Sequence, residues 1–193
     1  MTPHLIALAA TPPQPWRNGG GVTRELLVWP AGGEWQVRVS VADIETDGPF
    51  SPFPEVERWF AVLQGGGVAL TIAGAEHRCR AGDPPLSFSG VAPVQCRLLQ
   101  GPSRDLNLML RGVHGAMQRV VADEAWSPHV GRCGLYALAA GRCRADATTT
   151  VIPAGSLAWF DPAPRTLTFQ PGSPSGQPAS GWWLAAEARE PDA

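Results

Sequence analysis

The chain has 193 residues, 44% of them apolar, and a net charge of −2, enough for one large domain or two small fused ones without covalent staples. Every basic residue is arginine, scattered with no stripe and no cluster of four, which argues against nucleic acid and anionic membrane as partners. The 20 prolines and 22 glycines break helices and form turns, so an all-β fold of short strands is expected.

In chain order, residues 1–15 hold a short apolar run stopped by Pro12 and Pro13, neither a secretory leader nor a span, so a cytoplasmic protein is expected. Trp16-Arg-Asn-Gly-Gly-Gly21 follows. Its glycines permit positive φ and close backbone approach, which suits either an anion-binding nest or a tight turn. Residues 22–29 read as a strand in which Thr23 and Glu25 oppose Val22 and Arg24, with the inward pair left open. Residues 34–44 alternate strictly, Trp35, Val37, Val39 and Val41 against Gln36, Arg38 and Ser40. The rigid Gly48-Pro-Phe-Ser-Pro-Phe-Pro54 suits a lid over a barrel mouth or a plug in its end.

Further β-type runs lie at 58–64, 68–73, 86–89 and 94–99, and residues 105–111 alternate again, with Asp105, Asn107, Met109 and Arg111 opposite three leucines. Residues 120–126 offer one or two helical turns at most. The second half echoes the first: Val68-Ala-Leu-Thr-Ile-Ala-Gly74 matches Leu135-Tyr-Ala-Leu-Ala-Ala-Gly141, and each precedes an Ala-Gly and a short aromatic strand. That pattern suggests two stacked barrels, 1–112 and a smaller 113–186, with a surface loop at 171–180 and a flexible tail at 187–193. Cysteines 79, 96, 133 and 143 form no C-x-x-C and are expected as reduced core thiols.

Four separated stretches resemble the HutD/Ves family. They are Trp16 to Glu25, Val37-Arg-Val-Ser40, Asp47-Gly-Pro-Phe-Ser-Pro-Phe-Pro54 followed by Arg58, and Gly101-Pro102 leading to Asp105, Asn107, Met109 and Arg111. The resemblance covers about residues 3–112 well and the remainder by general pattern. It implies a bicupin, two double-stranded β-helix barrels, associated with histidine utilisation and a regulatory role, and it brings no established reaction.

If the polar faces of the 34–44 and 105–111 strands line one lumen, Arg38, Ser40, Asp105, Asn107 and Arg111 converge there, joined by Trp16, Asn18, Glu25 and Arg58. Arginine forks bind carboxylates in bidentate fashion and asparagine supplies both donor and acceptor. A small carboxylate-bearing metabolite such as urocanate or formiminoglutamate is the expected partner, and a homodimer is allowed. The bland alternative is a solvated face with an Arg38–Asp105 ion pair. The four histidines include no His-x-His, so no metal and no cofactor are expected. No nucleophile motif is present, and an enzyme remains only as an alternative, a metal-independent isomerase or hydrolase with Glu25 or Asp105 as acid/base.

Overall fold

The computed structural model describes residues 1–172 and 179–188, and the only helical element among these is a single 3-10 turn at Leu8–Ala10. The expected all-β architecture is observed. The chain divides into two compact units, Thr11–Gly112 and a second made of Met1–Ala10 with Val113–Ala193.

In the unit Thr11–Gly112 two sheets face each other. The larger runs Gln14–Pro15, Gly21–Trp29, Val37–Ile44, Ser103–Arg111, Val56–Gly65, Leu86–Ser89; the smaller runs Gly48–Pro49, Val94–Leu98, Val68–Ile72, Ala75–Cys79. Neither sheet closes on itself by hydrogen bonds, so the expected barrel is a two-sheet sandwich. Ile44, Phe60 and Val62 of the large sheet pack on Val68, Leu70, Val94 and Cys96 of the small one. This core fills only part of the space between the sheets.

The second unit repeats the arrangement. Its larger sheet runs His4–Ala7, Ser156–Phe160, Arg132–Ala137, Gly181–Ala188, Val113–Arg119, and its smaller one Thr148–Ile152, Gly141–Ala145, Leu167–Pro171. Matching sheet positions pair Val56–Gly65 with Arg132–Ala137, and Val68–Ile72 with Gly141–Ala145. The echo read from the sequence is therefore out by one strand at its start, where Val68 was matched to Leu135, and in step from the Ala-Gly turns onward. Here the interior is filled: Leu135, Phe160, Phe169 and Trp183 are at most 2% exposed, and Trp126 stacks on Trp183 at 4.9 Å.

Several details correct the sequence reading. The N-terminal strand does not join the first unit, because His4–Ala7 pairs antiparallel with Ser156–Phe160 and covers an otherwise open sheet edge. No helical turn forms at 120–126, where Asp123 has φ 62° and Trp126 bridges to Leu167. Glu187 is not in a tail but pairs with His114 in the last strand. The rest of the expected tail, 189–193, and most of the 171–180 loop lie outside the described residues. All four cysteines are free and buried. Burial pushes the Cys79 thiol up to about 11 and Cys96 up to about 12, so both are inert. No helix among the described residues is long and apolar enough to cross a membrane.

Candidate functional site

Three neighbouring strands of the first unit build a floor by register alone. Met109 lies between Arg38 and Arg58, Asn107 between Ser40 and Phe60, and Asp105 between Ala42 and Val62. Successive strand residues point to opposite faces, so these side chains share one side while Val39, Val41, Leu106 and Leu108 occupy the other, at 0% exposure. Over the floor lies a cavity of about 620 Å³, bounded also by Gln14, Pro15, Trp16, Arg17, Asn18, Thr23, Pro49, Phe50, Ser51, Pro52 and Phe53.

Of the nine residues expected at a site, seven line this cavity: Trp16, Asn18, Arg38, Ser40, Arg58, Asp105 and Asn107. Glu25 does not line the cavity, although it pairs with Ser40 on the same face; its carboxylate accepts from Arg38 Nε at 2.7 Å. Arg111 does not line the cavity. Its strand runs on past the rim, where the guanidinium pairs with Glu34 at 2.8 Å and stacks on Trp35 at 4.5 Å. The inward face of the Gly21–Trp29 strand is that of Thr23 and Glu25, which pair in register with the cavity-lining Ala42 and Ser40. Thr23 lines the cavity and accepts from Trp16 Nε1 at 2.7 Å, whereas Arg24 turns to Asp43 at 2.9 Å.

The glycine motif is a turn and not a nest. Its amides are occupied: Gly19 N donates to the Trp16 carbonyl at 3.0 Å and Gly20 N to Asn18 Oδ1 at 3.0 Å. The proline-aromatic segment forms the cavity wall and grips Arg58. The guanidinium carbon lies 5.1 Å from the Phe50 ring, 5.6 Å from Phe53 and 5.1 Å from Phe88. Cation–π attraction of this kind is what lets a charged group sit at 6% exposure without a carboxylate partner. Phe88 is the member of this cage the sequence did not single out; its place opposite Arg58 in the strand register is the signal that finds it.

The floor is electrically unusual. Arg58 Nη2 donates to Asn107 Oδ1 at 3.0 Å, and Asn107 Nδ2 donates to Asp105 Oδ1. Among the described residues Arg58 Nε and Asp105 Oδ2 are buried without a partner. Burial pushes the Asp105 carboxyl up to about 8, against the pull of Arg58 and the Asn107 hydrogen bond. Burial also lowers Arg58 to about 10, opposed by Asp105. At neutral pH the floor therefore carries a cationic guanidinium beside an uncharged acid. The expected alternative of an Arg38–Asp105 pair is not formed, since Arg38 is held by Glu25. Among the described residues no three of His, Cys, Asp or Glu gather as metal ligands.

Similarity to known proteins runs the length of the chain. A family model described as HutD matches residues 9–172. Protein Ves of Cronobacter sakazakii is 32% identical over 153 residues, 79% of this chain and 83% of that protein. An uncharacterized 21.2 kDa protein in the hutC 3' region of Pseudomonas putida is 38% identical over 127 residues, 64% of this chain and 63% of that protein. Among solved structures, a conserved protein of unknown function from Pseudomonas aeruginosa PAO1 is 26% identical with a TM-score of 0.83, over 96% of this chain and 98% of that one. HutD from Pseudomonas fluorescens SBW25 is similar in fold, with a TM-score of 0.83 at 23% identity over 97% and 99%. An oxalate decarboxylase from Bacillus subtilis shares the cupin-type architecture alone, at 10% identity and a TM-score of 0.66 over 100% and 79%.

Proposed function

The chain belongs to the HutD family, and on that premise we propose that it is a metal-free binding protein for a small carboxylate metabolite, with a regulatory role in histidine catabolism. The observation that carries this reading is Arg58: a buried guanidinium with an unpartnered Nε among the described residues, at the base of a cavity walled in part by Trp16, Phe50 and Phe53, beside an uncharged carboxyl. A bound carboxylate would satisfy Arg58 through charge-assisted hydrogen bonds. It would also accept from the Asp105 hydroxyl while Trp16 and Phe50 cover its apolar part. Among carboxylates of histidine breakdown, urocanate, planar and without an ammonium group, matches this chemistry first; formiminoglutamate, saturated and carrying a basic amidine on its α-nitrogen, comes second. The position of the Pseudomonas putida relative beside hutC supports the pathway.

Asp105 also sustains a second reading. An acid protonated near neutral pH can deliver a proton, so a metal-independent isomerase or hydrolase would use Asp105. Glu25 suits that role less, being held by Arg38. Calorimetry with urocanate, formiminoglutamate and formate, followed by product analysis, separates the two readings. Binding with no turnover supports the first and turnover the second; no binding by any of the three removes both.

A further inference from the structure

The charges on the cavity wall are lopsided. Among the described residues three guanidiniums line it, Arg17, Arg38 and Arg58, against one carboxyl, Asp105. That carboxyl is 1% exposed, with one oxygen already taken by the Asn107 amide. The next acid, Glu25, does not line the cavity and is paired with Arg38 Nε at 2.7 Å. The Phe50 and Phe53 faces that would attract an ammonium are turned instead on Arg58, at 5.1 and 5.6 Å. An α-ammonium group entering the cavity would meet guanidiniums and no free anion, and like-charge contacts of this kind strongly suppress the wrong ligand.

We propose that the cavity admits carboxylates lacking an ammonium group and turns away the amino-acid zwitterion of the same carbon skeleton, with the closed Arg38–Glu25 pair as the specificity determinant. The inference rests on the carboxylate-binding reading above. The uncharged state of Asp105 at neutral pH supports it, since the floor then offers no counter-charge to an ammonium. Arg38 acts here less as an anchor for the ligand than as a lock on Glu25. Its guanidinium holds a carboxylate that would otherwise swing toward the lumen and accept the α-ammonium.

Calorimetry on the full chain with matched pairs tests this: 3-phenylpropanoate against L-phenylalanine, 3-(imidazol-4-yl)propanoate against L-histidine, glutarate against L-glutamate. In each pair that binds, the zwitterion should be weaker by about 50-fold or more. Arg38→Met keeps the aliphatic stem and frees Glu25, and the ratio should narrow by about tenfold; Arg38→Met with Glu25→Gln should restore it. A merely structural ion pair would weaken both members of a pair alike. Zwitterion and carboxylate binding within about threefold of each other in the wild type would overturn the rejection while leaving the carboxylate site standing. An unchanged ratio in folded Arg38→Met would overturn the role of the Arg38–Glu25 pair. No binding by either member of any pair would remove the carboxylate site itself, and this inference with it.

Discussion

Arg58 and Asp105 meet through Asn107 rather than each other: Arg58 donates to the amide oxygen at 3.0 Å, and the amide nitrogen donates to Asp105 Oδ1. Arginine has no acceptor, so the amide must turn its oxygen to Arg58 and its NH₂ to the acid. Asp105 Oδ1 is thereby fixed as an acceptor, and the proton that burial keeps on this carboxyl resides on Oδ2. The three residues form a line of hydrogen bonds with one polarity, ending in a donor.

If Arg58 anchors a carboxylate, Arg58→Gln should remove most of the affinity. Glutamine can still donate to Asn107 Oδ1, so the fold keeps its bridge while the charge is lost. We expect a loss of about 2–4 kcal/mol in binding of the best carboxylate, roughly 30- to 1,000-fold. Arg58→Lys should fall between the two, since it keeps the charge and loses the planar fork. Calorimetry that finds wild-type affinity in a folded Arg58→Gln protein would place the anchor elsewhere.

Asn107 separates charge from hydrogen bonding. Asn107→Ala deletes neutral hydrogen bonds and should cost about 1–2 kcal/mol in ligand affinity. Asn107→Asp puts an anion 3.0 Å from the guanidinium it now bonds and neutralises that cation, so it should bind worse than the alanine variant. The reverse order would mean that the floor does not work by its positive charge.

How far this site was legible in the sequence follows from what periodicity can express. Strict alternation put Arg38 with Ser40 and Asp105 with Asn107 on single faces, and the four-stretch resemblance brought those faces together. Alternation says nothing of where a strand leaves the cavity, so Arg111 was included although it pairs with Glu34 beyond the rim. It also cannot say which of two opposed faces turns inward, so the Thr23/Glu25 face stayed open until its pairing with Ala42 and Ser40 was visible. Partner choice is non-local in the same way: nothing in a one-dimensional pattern assigns Glu25 to Arg38, or sends His4–Ala7 to a strand about 150 positions later. The uncharged state of Asp105 depends on burial, which only the packed structure supplies.

The glycine motif makes a prediction about stability alone. A Cβ on Gly21 would drive into the Asp43 carbonyl oxygen of the neighbouring strand, which can yield only by parting the sheet. Gly21→Ala should therefore cost about 1–3 kcal/mol. Gly19 has φ 71° and open space around it, so Gly19→Ala should cost less, about 1 kcal/mol of backbone strain. Denaturant melts of the two variants give the order. A costlier Gly19→Ala would show that the turn conformation, not the strand contact, is what the motif protects.

Asp105 predicts a pH dependence whose sign is fixed by its burial. Its carboxyl titrates near 3.8 when unfolded and is pushed up to about 8 in the folded chain, first by desolvation. Between those values the folded state holds a proton that the unfolded state has released. Stability therefore falls as pH rises from about 4 through about 8, and the term is constant outside that window. The groups acting on Asp105 do not blur this. Arg58 stays charged, Asp43 stays ionised, and the Cys96 thiol, pushed up to about 12, stays neutral. Asp105→Asn keeps the shape and the acceptor for Asn107 while removing the titration. The variant should match the wild type near pH 4.5 and exceed it by ~5 °C or more in melting temperature at pH 8, with the gap opening steadily between. Calorimetric scans at half-unit pH steps give both curves. Parallel curves would mean that Asp105 is ionised in the folded protein, and the neutral floor on which the binding and selectivity arguments rest would have to be given up.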